Sequence, residues 1–288
     1  MKSICIYASE LAVVIGVNKY QKLSDIIIKL WQKNYPIDYE NTITNVKKTH
    51  NVKLTPTETD IQYIKRVQDE CNLNIQDKIN ECLNTKDTSN LLNNRNQILK
   101  EIEQNNNINK EIKDDFKKSL ESVTNKAFGT INEKSVIDYY MEQSGKKVIC
   151  DTRFIRKQLC TYKDIKWSLG GKIDGITEDN IVVEVKNRIY KLFYVMRDYE
   201  KPQIQTYMYI LGLPRGHLVE SFKRGGEIKL NIIEENFDEN YWNDFIMKKL
   251  NNFIKLFHLF LNNVDLKTYV LLGDEDEKEE SLREFILG

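Results

Sequence analysis

The stretch GGKIDGITEDNIVVEVKNR, Gly170 to Arg188, sets a strand of Val and Ile against two charges, Glu184 and Lys186, that a plain core strand has no use for. Side chains alternate between the two faces of a strand. Ile181, Val183 and Val185 therefore share one face, and Val182, Glu184 and Lys186 share the other. On the preceding run, Ser168, Gly170, Lys172 and Asp174 fall on one face, and GITEDN reads as the turn between two strands. If the strands pair as neighbours, Asp174, Glu184 and Lys186 converge at one end of a sheet.

Two carboxylates and a lysine so placed suit a divalent cation. Mg²⁺ takes carboxylate oxygens and fills its shell with water and substrate phosphates. Mn²⁺ is the expected substitute. Two such ions about 3.5–4 Å apart clamp the attacking and leaving oxygens of a phosphodiester. The lysine can orient or help deprotonate the attacking water and offsets phosphate charge. Taken alone, Glu-x-Lys is common on a solvated strand face, and Asp-Gly is an ordinary turn signal.

The rest of the chain bounds this reading. The 288 residues suffice for one large domain, and 41% hydrophobic residues suffice for a core without a disulfide or metal staple. Net charge is zero, yet residues 146–201 carry 13 Lys/Arg against 8 Asp/Glu, and residues 273–288 carry 7 acidic against 2 basic residues. The five cysteines show no C-x-x-C spacing, which fits a reducing, intracellular compartment and argues against zinc. His50, His217 and His258 have no ligand spacing. Glu10 interrupts the short apolar run of the N-terminus, so neither a signal peptide nor a membrane span is expected, and the chain reads as soluble.

Residues 1–35 read as two short helices, the first capped by Ser9 and stopped by Gly16, the second capped by Ser24 and ended before Pro36. Residues 37–127, rich in Asn, Lys and Ile, read as a helical insertion or arm, more polar and partly mobile over 84–111. A short helix ending at Gly145, strands over 146–155, 165–174 and 180–187, a helix from Pro202 to Gly212, and two strands around a Gly225–Gly226 turn follow. A long helix spans about 238–262, and 273–288 reads as a mobile acidic tail. The order implies a mixed α/β fold, a central mixed sheet flanked by helices, in one domain.

The pair IDG and VEVK, ten residues from Asp174 to Glu184, resembles the core of the PD-(D/E)xK nuclease superfamily, in the lambda-exonuclease/YqaJ-type branch of viral recombinases. FGTINEKSVIDYYMEQSG resembles that branch's G-x-x-x-E helix, YASELAVVIG its N-terminal segment, and PQIQTYMYILGL its Q-x-Q-x-x-M helix. The similarity covers residues 1–30 and about 128–235. It implies a restriction-endonuclease-like core and a Mg²⁺-dependent exonuclease acting at double-stranded DNA ends, 5′-to-3′, in recombination, repair or replication.

The same resemblance implies roles. Asp174, Glu184, the Val185 carbonyl and Glu133 ligate two metal ions, Lys186 activates the water, and Gln203 positions the lysine or a phosphate. Ser9, Lys172, Arg188, Lys191 and Tyr207 contact DNA or its phosphates. Lys172 stands where the branch has serine, and Arg188 and Lys191 lie off its arginine's position. It further implies a single-strand annealing protein as partner and a trimeric ring. An endonuclease, a single-strand or RNA nuclease, and an inactive DNA-end scaffold stand as alternatives.

Overall fold

The computed structural model describes residues 1–52, 58–149, 153–224 and 227–288. Along the chain run β1 (Lys2–Tyr7), a short 3₁₀ turn (Ala8–Glu10), α1 (Leu11–Val14), α2 (Leu23–Asn34), α3 (Pro36–His50), α4 (Asp60–Glu70), α5 (Gln76–Asn84), α6 (Thr88–Gln104) and α7 (Lys110–Ser144). Next come β2 (Val148–Ile149), β3 (Ile155–Tyr162), β4 (Ile165–Gly171), β5 (Gly175–Thr177), β6 (Ile181–Arg188) and α8 (Lys201–Leu211). The chain closes with β7 (Arg215–Arg224), β8 (Glu227–Asn236), a π-helical segment (Tyr241–Met247), α9 (Lys248–Asn262), α10 (Val264–Leu272) and α11 (Glu275–Leu287).

Among the described residues eight strands form two sheets, ordered β1-β4-β3 and β2-β5-β6-β7-β8. Parallel pairs, β1 with β4 and β6 with β7, sit among antiparallel ones, so the mixed α/β architecture is as the sequence implied. The chain passes from β4 in one sheet to β5 in the other through residues 172–174, where pairing lapses. β5 then pairs antiparallel with β6.

The faces of β6 fall as alternation requires. Val182 packs with Ile173, Ile204, Tyr207, Met208 and Leu218, the core beneath α8. Val183 and Val185 pack with Val136, Ile137 and Tyr140 of α7. Burying each such aliphatic chain contributes roughly 1.5–3 kcal/mol, so two helices clamp this strand. Tyr207 lies so close to β4 that a Cβ at Gly171 would stand 2.9 Å from its ring. Trp167, packed edge-on against Phe253 and Phe257, belongs to the core between the three-stranded sheet and α2 and α9.

Several expectations give way. The first element is a strand: Ile4 and Ile6 are buried while their neighbours are not, a period of two that the search for helix caps passed over. Ser9 is not a helix cap. It is exposed in the 3₁₀ turn, where Tyr7 holds the N-cap position without a side-chain bond, and α1 has only four residues. Ser24 lies inside α2, whose first N–H groups, on Leu23 and Ser24, donate to the Glu279 carboxylate at 2.7 and 2.9 Å. The acidic stretch forms α11 rather than a loose tail, because Leu282 and Ile286 bury against the core and Arg283 donates to the carbonyls of Gly16, Asn18 and Gln21.

Residues 84–111 hold α6, whose Leu91, Arg95, Ile98 and Ile102 make a buried stripe. Leu91, Ile98 and Ile102 share a separate core with α4, α5 and α7. The helix ending at Gly145 starts at Lys110, capped by Asn109, since no proline interrupts it. The strand expected over 146–155 has only its ends described, as β2 and the start of β3. Pro56, Cys150 and the Gly225–Gly226 turn lie outside the described residues. Among the described residues no helix is long and apolar enough to cross a membrane.

Candidate active site

β6 delivers Glu184 and Lys186 toward α8 on the face that carries Val182. Pro202 sits in the first turn of α8, where its missing N–H costs nothing, and sets Gln203 beside them. Lys186 Nζ donates to Glu184 Oε1 at 2.8 Å and to Gln203 Oε1 at 2.9 Å. Gln203 Nε2 closes the triangle, donating to the same Glu184 oxygen at 2.8 Å. The structure thus brings together three residues that lie 19 positions apart at most.

Asp174 enters from the break between β4 and β5. Its Oδ2 accepts the Val185 backbone N–H at 2.7 Å, which ties the loop to β6. Its carboxyl is pushed up to about 8 by burial first and by the neighbouring Glu184 charge second. Glu133, on α7, is likewise raised by burial and then by Glu184. Burial works to lower the Lys186 pKa, but the Glu184 charge and hydrogen bond outweigh it, and the net shift is upward. Metal-free, the lysine is firmly an ammonium.

These groups line a cavity of about 280 Å³. One wall is β6 with Asp174, and the other is the face of α7 that carries Asn125, Lys126, Gly129, Thr130 and Glu133. Glu184 is 4% exposed, and its second oxygen, Oε2, is buried with no hydrogen-bond partner. An unpaired carboxylate oxygen is costly unless something cationic or hydrogen-bonding reaches it. Among the described residues no three His, Cys, Asp or Glu side chains gather closely enough to hold a metal by themselves. A hard cation that draws two carboxylate oxygens from protein and the rest from water or phosphate fits this donor set; a thiolate or imidazole metal does not.

The other sequence candidates are employed differently. Arg188 is not a free phosphate contact: it forks onto Glu200 at 2.7 and 3.0 Å and onto Glu220 at 2.7–2.9 Å, and all three side chains are largely buried. Glu220 also accepts the backbone N–H of Phe193 and Tyr194, so the pair of glutamates fastens the loop between β6 and α8. Tyr207 is 3% exposed and is no surface contact. Its hydroxyl receives a 3.3 Å bond from Gln203, and burial raises its pKa. Lys172 and Lys191 are exposed on the segments flanking the cavity strands. The Ser9 turn packs on β4 and α8, at the end of the sheet where Tyr7 pairs with Gly170.

Asn187 escaped the sequence reading. Its amide donates to the Gly129 carbonyl of α7 at 2.6 Å, and its oxygen accepts from Ser221. It therefore fixes α7, and Glu133 one turn on, against β6. The alternation that placed Val183 and Val185 on the α7 face extends to residue 187 and was the available signal.

Several solved structures show partial similarity. An alkaline exonuclease from Laribacter hongkongensis, LHK-Exo, overlaps at 18% identity and TM-score 0.37, over 50% of this chain and 74% of its own. The same enzyme in complex with dAMP gives 16% and 0.38, over 50% and 73%. A protein designated SSO0001 gives 15% and 0.34, over 75% and 85%. No family model matches the chain, and no curated protein does. At these values the overlap is partial, and the reading of the site rests on its side chains.

Proposed function

We propose that the α7–β6 cavity hydrolyses phosphodiester bonds of DNA with Mg²⁺ bound, Mn²⁺ substituting. The observation that carries this is that Asp174, Glu184 and Glu133 line one cavity, with Lys186 held on one Glu184 oxygen and the other Glu184 oxygen left unpartnered in the interior. Proteins bury carboxylates this way where a cation is to be held, since the arrangement is unfavourable otherwise. Asp174 and Glu184 would hold the ion, with the Val185 carbonyl beside them on β6 and Glu133 on the facing wall of α7. When bound, such an ion neutralises phosphoryl charge and acidifies a water.

The chain's own residues supply the rest. Gln203 keeps the Lys186 ammonium and Glu184 in register, and Tyr207 holds Gln203. Lys186, held cationic by Glu184, orients the water or a phosphate oxygen and offsets its charge. To serve as a base it would first have to leave the Glu184 pair. Hydrolysis forms a phosphorus–oxygen bond to water and breaks the one to the leaving sugar oxygen, which regains a proton as the water loses one.

The finer reading is a 5′-to-3′ exonuclease on duplex ends. It draws on the order of the sequence motifs and on the Ser9 turn and Lys172 flanking one end of β4. Digestion of end-labelled linear duplex beside closed circular duplex, with Mg²⁺ or a chelator, tests it. Metal-dependent release of label from linear DNA alone is expected. Cutting of closed circles would replace the exonuclease by an endonuclease, and no cleavage of DNA under any divalent metal would refute the proposal.

A further inference from the structure

Gly129 stands in the interior of the 35-residue helix α7, where glycine is the least favourable residue short of proline. Glycine in such a place has three ordinary explanations. It is absent from the positive-φ glycines, so no left-handed backbone requires it. A Cβ built there meets nothing within 4 Å, so no neighbouring side chain or backbone excludes it. Its carbonyl bond from Asn187 is unaffected by that open space. The helix continues unbroken through it to Ser144, so it serves no termination.

What the position does have is the cavity. Gly129 lines it on the α7 wall, and Glu184, whose Oε2 is buried and unpartnered, lines it on the β6 wall. Lys126, 76% exposed and paired with Asp60 at 3.4 Å, and Thr130 line the same face of α7. We propose that the bare Cα of Gly129 is the seat of the substrate strand. The sugar–phosphate backbone would lie against α7 there, so that the phosphate reaches the carboxylates, and any side chain would stand in its path. This inference rests on the nuclease reading for the identity of the strand. The steric claim itself concerns nucleic acid binding.

The test uses the full chain with Gly129→Ala and Gly129→Leu. Because a Cβ is free of clashes and improves the helix, both variants should melt no lower than the parent, with Gly129→Ala equal or higher. Binding of a fluorescently labelled linear duplex, followed by anisotropy in chelator, should weaken about tenfold or more in Gly129→Leu and less in Gly129→Ala. Cleavage should fall by about a hundredfold in Gly129→Leu, the scale of an ångström-sized displacement at a reacting centre. A graded loss from Gly to Ala to Leu at undiminished melting temperature supports the seat. Parental binding and cleavage by Gly129→Leu would overturn it while leaving the nuclease reading intact. If the parent binds the duplex but cleaves nothing, the nuclease reading falls and the binding arm alone decides the seat. Should Gly129→Leu misfold, parental binding and cleavage by Gly129→Ala would still overturn the seat.

Discussion

Replacing Asp174 by asparagine keeps an oxygen for the Val185 N–H and removes one negative charge from the cavity. The Asp174 carboxyl stands at 3.8 in the unfolded chain and at about 8 in the folded one. A folded value above the unfolded one means the native state binds the extra proton. The stability this group contributes is therefore full below about pH 4 and is lost as pH rises toward about 8. The limiting slope is about 1.4 kcal/mol per pH unit; partial exposure reduces it to about half that. Between pH 5 and 8 the metal-free parent should lose on the order of 2 kcal/mol that Asp174→Asn keeps, some 4–8 °C in melting temperature. Urea denaturation at three pH values in chelator measures the difference. Adding Mg²⁺ at pH 8 should reverse the order, since only the parent gains stability from ion binding. A difference between the two proteins that is flat with pH would refute the reasoning, as would equal stabilisation of both by Mg²⁺.

Gln203→Ala leaves Lys186 and Glu184 paired but unsteadied; cleavage should fall about a hundredfold at a stability cost of about 1–2 kcal/mol, read by kinetics beside denaturation. Arg188→Met strands Glu200 and Glu220 in the interior, so unfolding free energy should drop by about 3–5 kcal/mol. If Arg188 served DNA instead, stability would hold and DNA affinity alone would fall. Glu279→Ala removes the carboxylate that receives the first N–H groups of α2 and should cost about 1–2 kcal/mol, measurable by urea denaturation.

The sequence disclosed the site better than the frame around it. Alternation put Glu184 and Lys186 on one face and Pro202 marked the start of α8, while Gln203 was named only through the resemblance of its helix to that of the nuclease branch. The break at 172–174 was not: it ends the strict alternation between Lys172 and Asp174, and no local residue marks where a strand changes sheets. Arg188 looked like a phosphate contact because its two glutamates lie 12 and 32 residues away. β1 was mistaken for part of a helical entry because cap residues are conspicuous and a two-residue period over six residues is not. The acidic tail failed for a related reason. Its charge hid Leu282 and Ile286, and its carboxylate caps a helix more than 250 positions away.

The central claim is that Glu184 and Lys186 carry phosphodiester hydrolysis rather than decorate a strand. Label release from 5′-end-labelled linear duplex in Mg²⁺, by the parent, Glu184→Gln and Lys186→Ala, tests it most directly, with melting curves confirming that each variant is folded. The account predicts cleavage by the parent and losses of about a thousandfold or more in both variants, with duplex binding largely retained. Parental cleavage rates from either folded variant would contradict it.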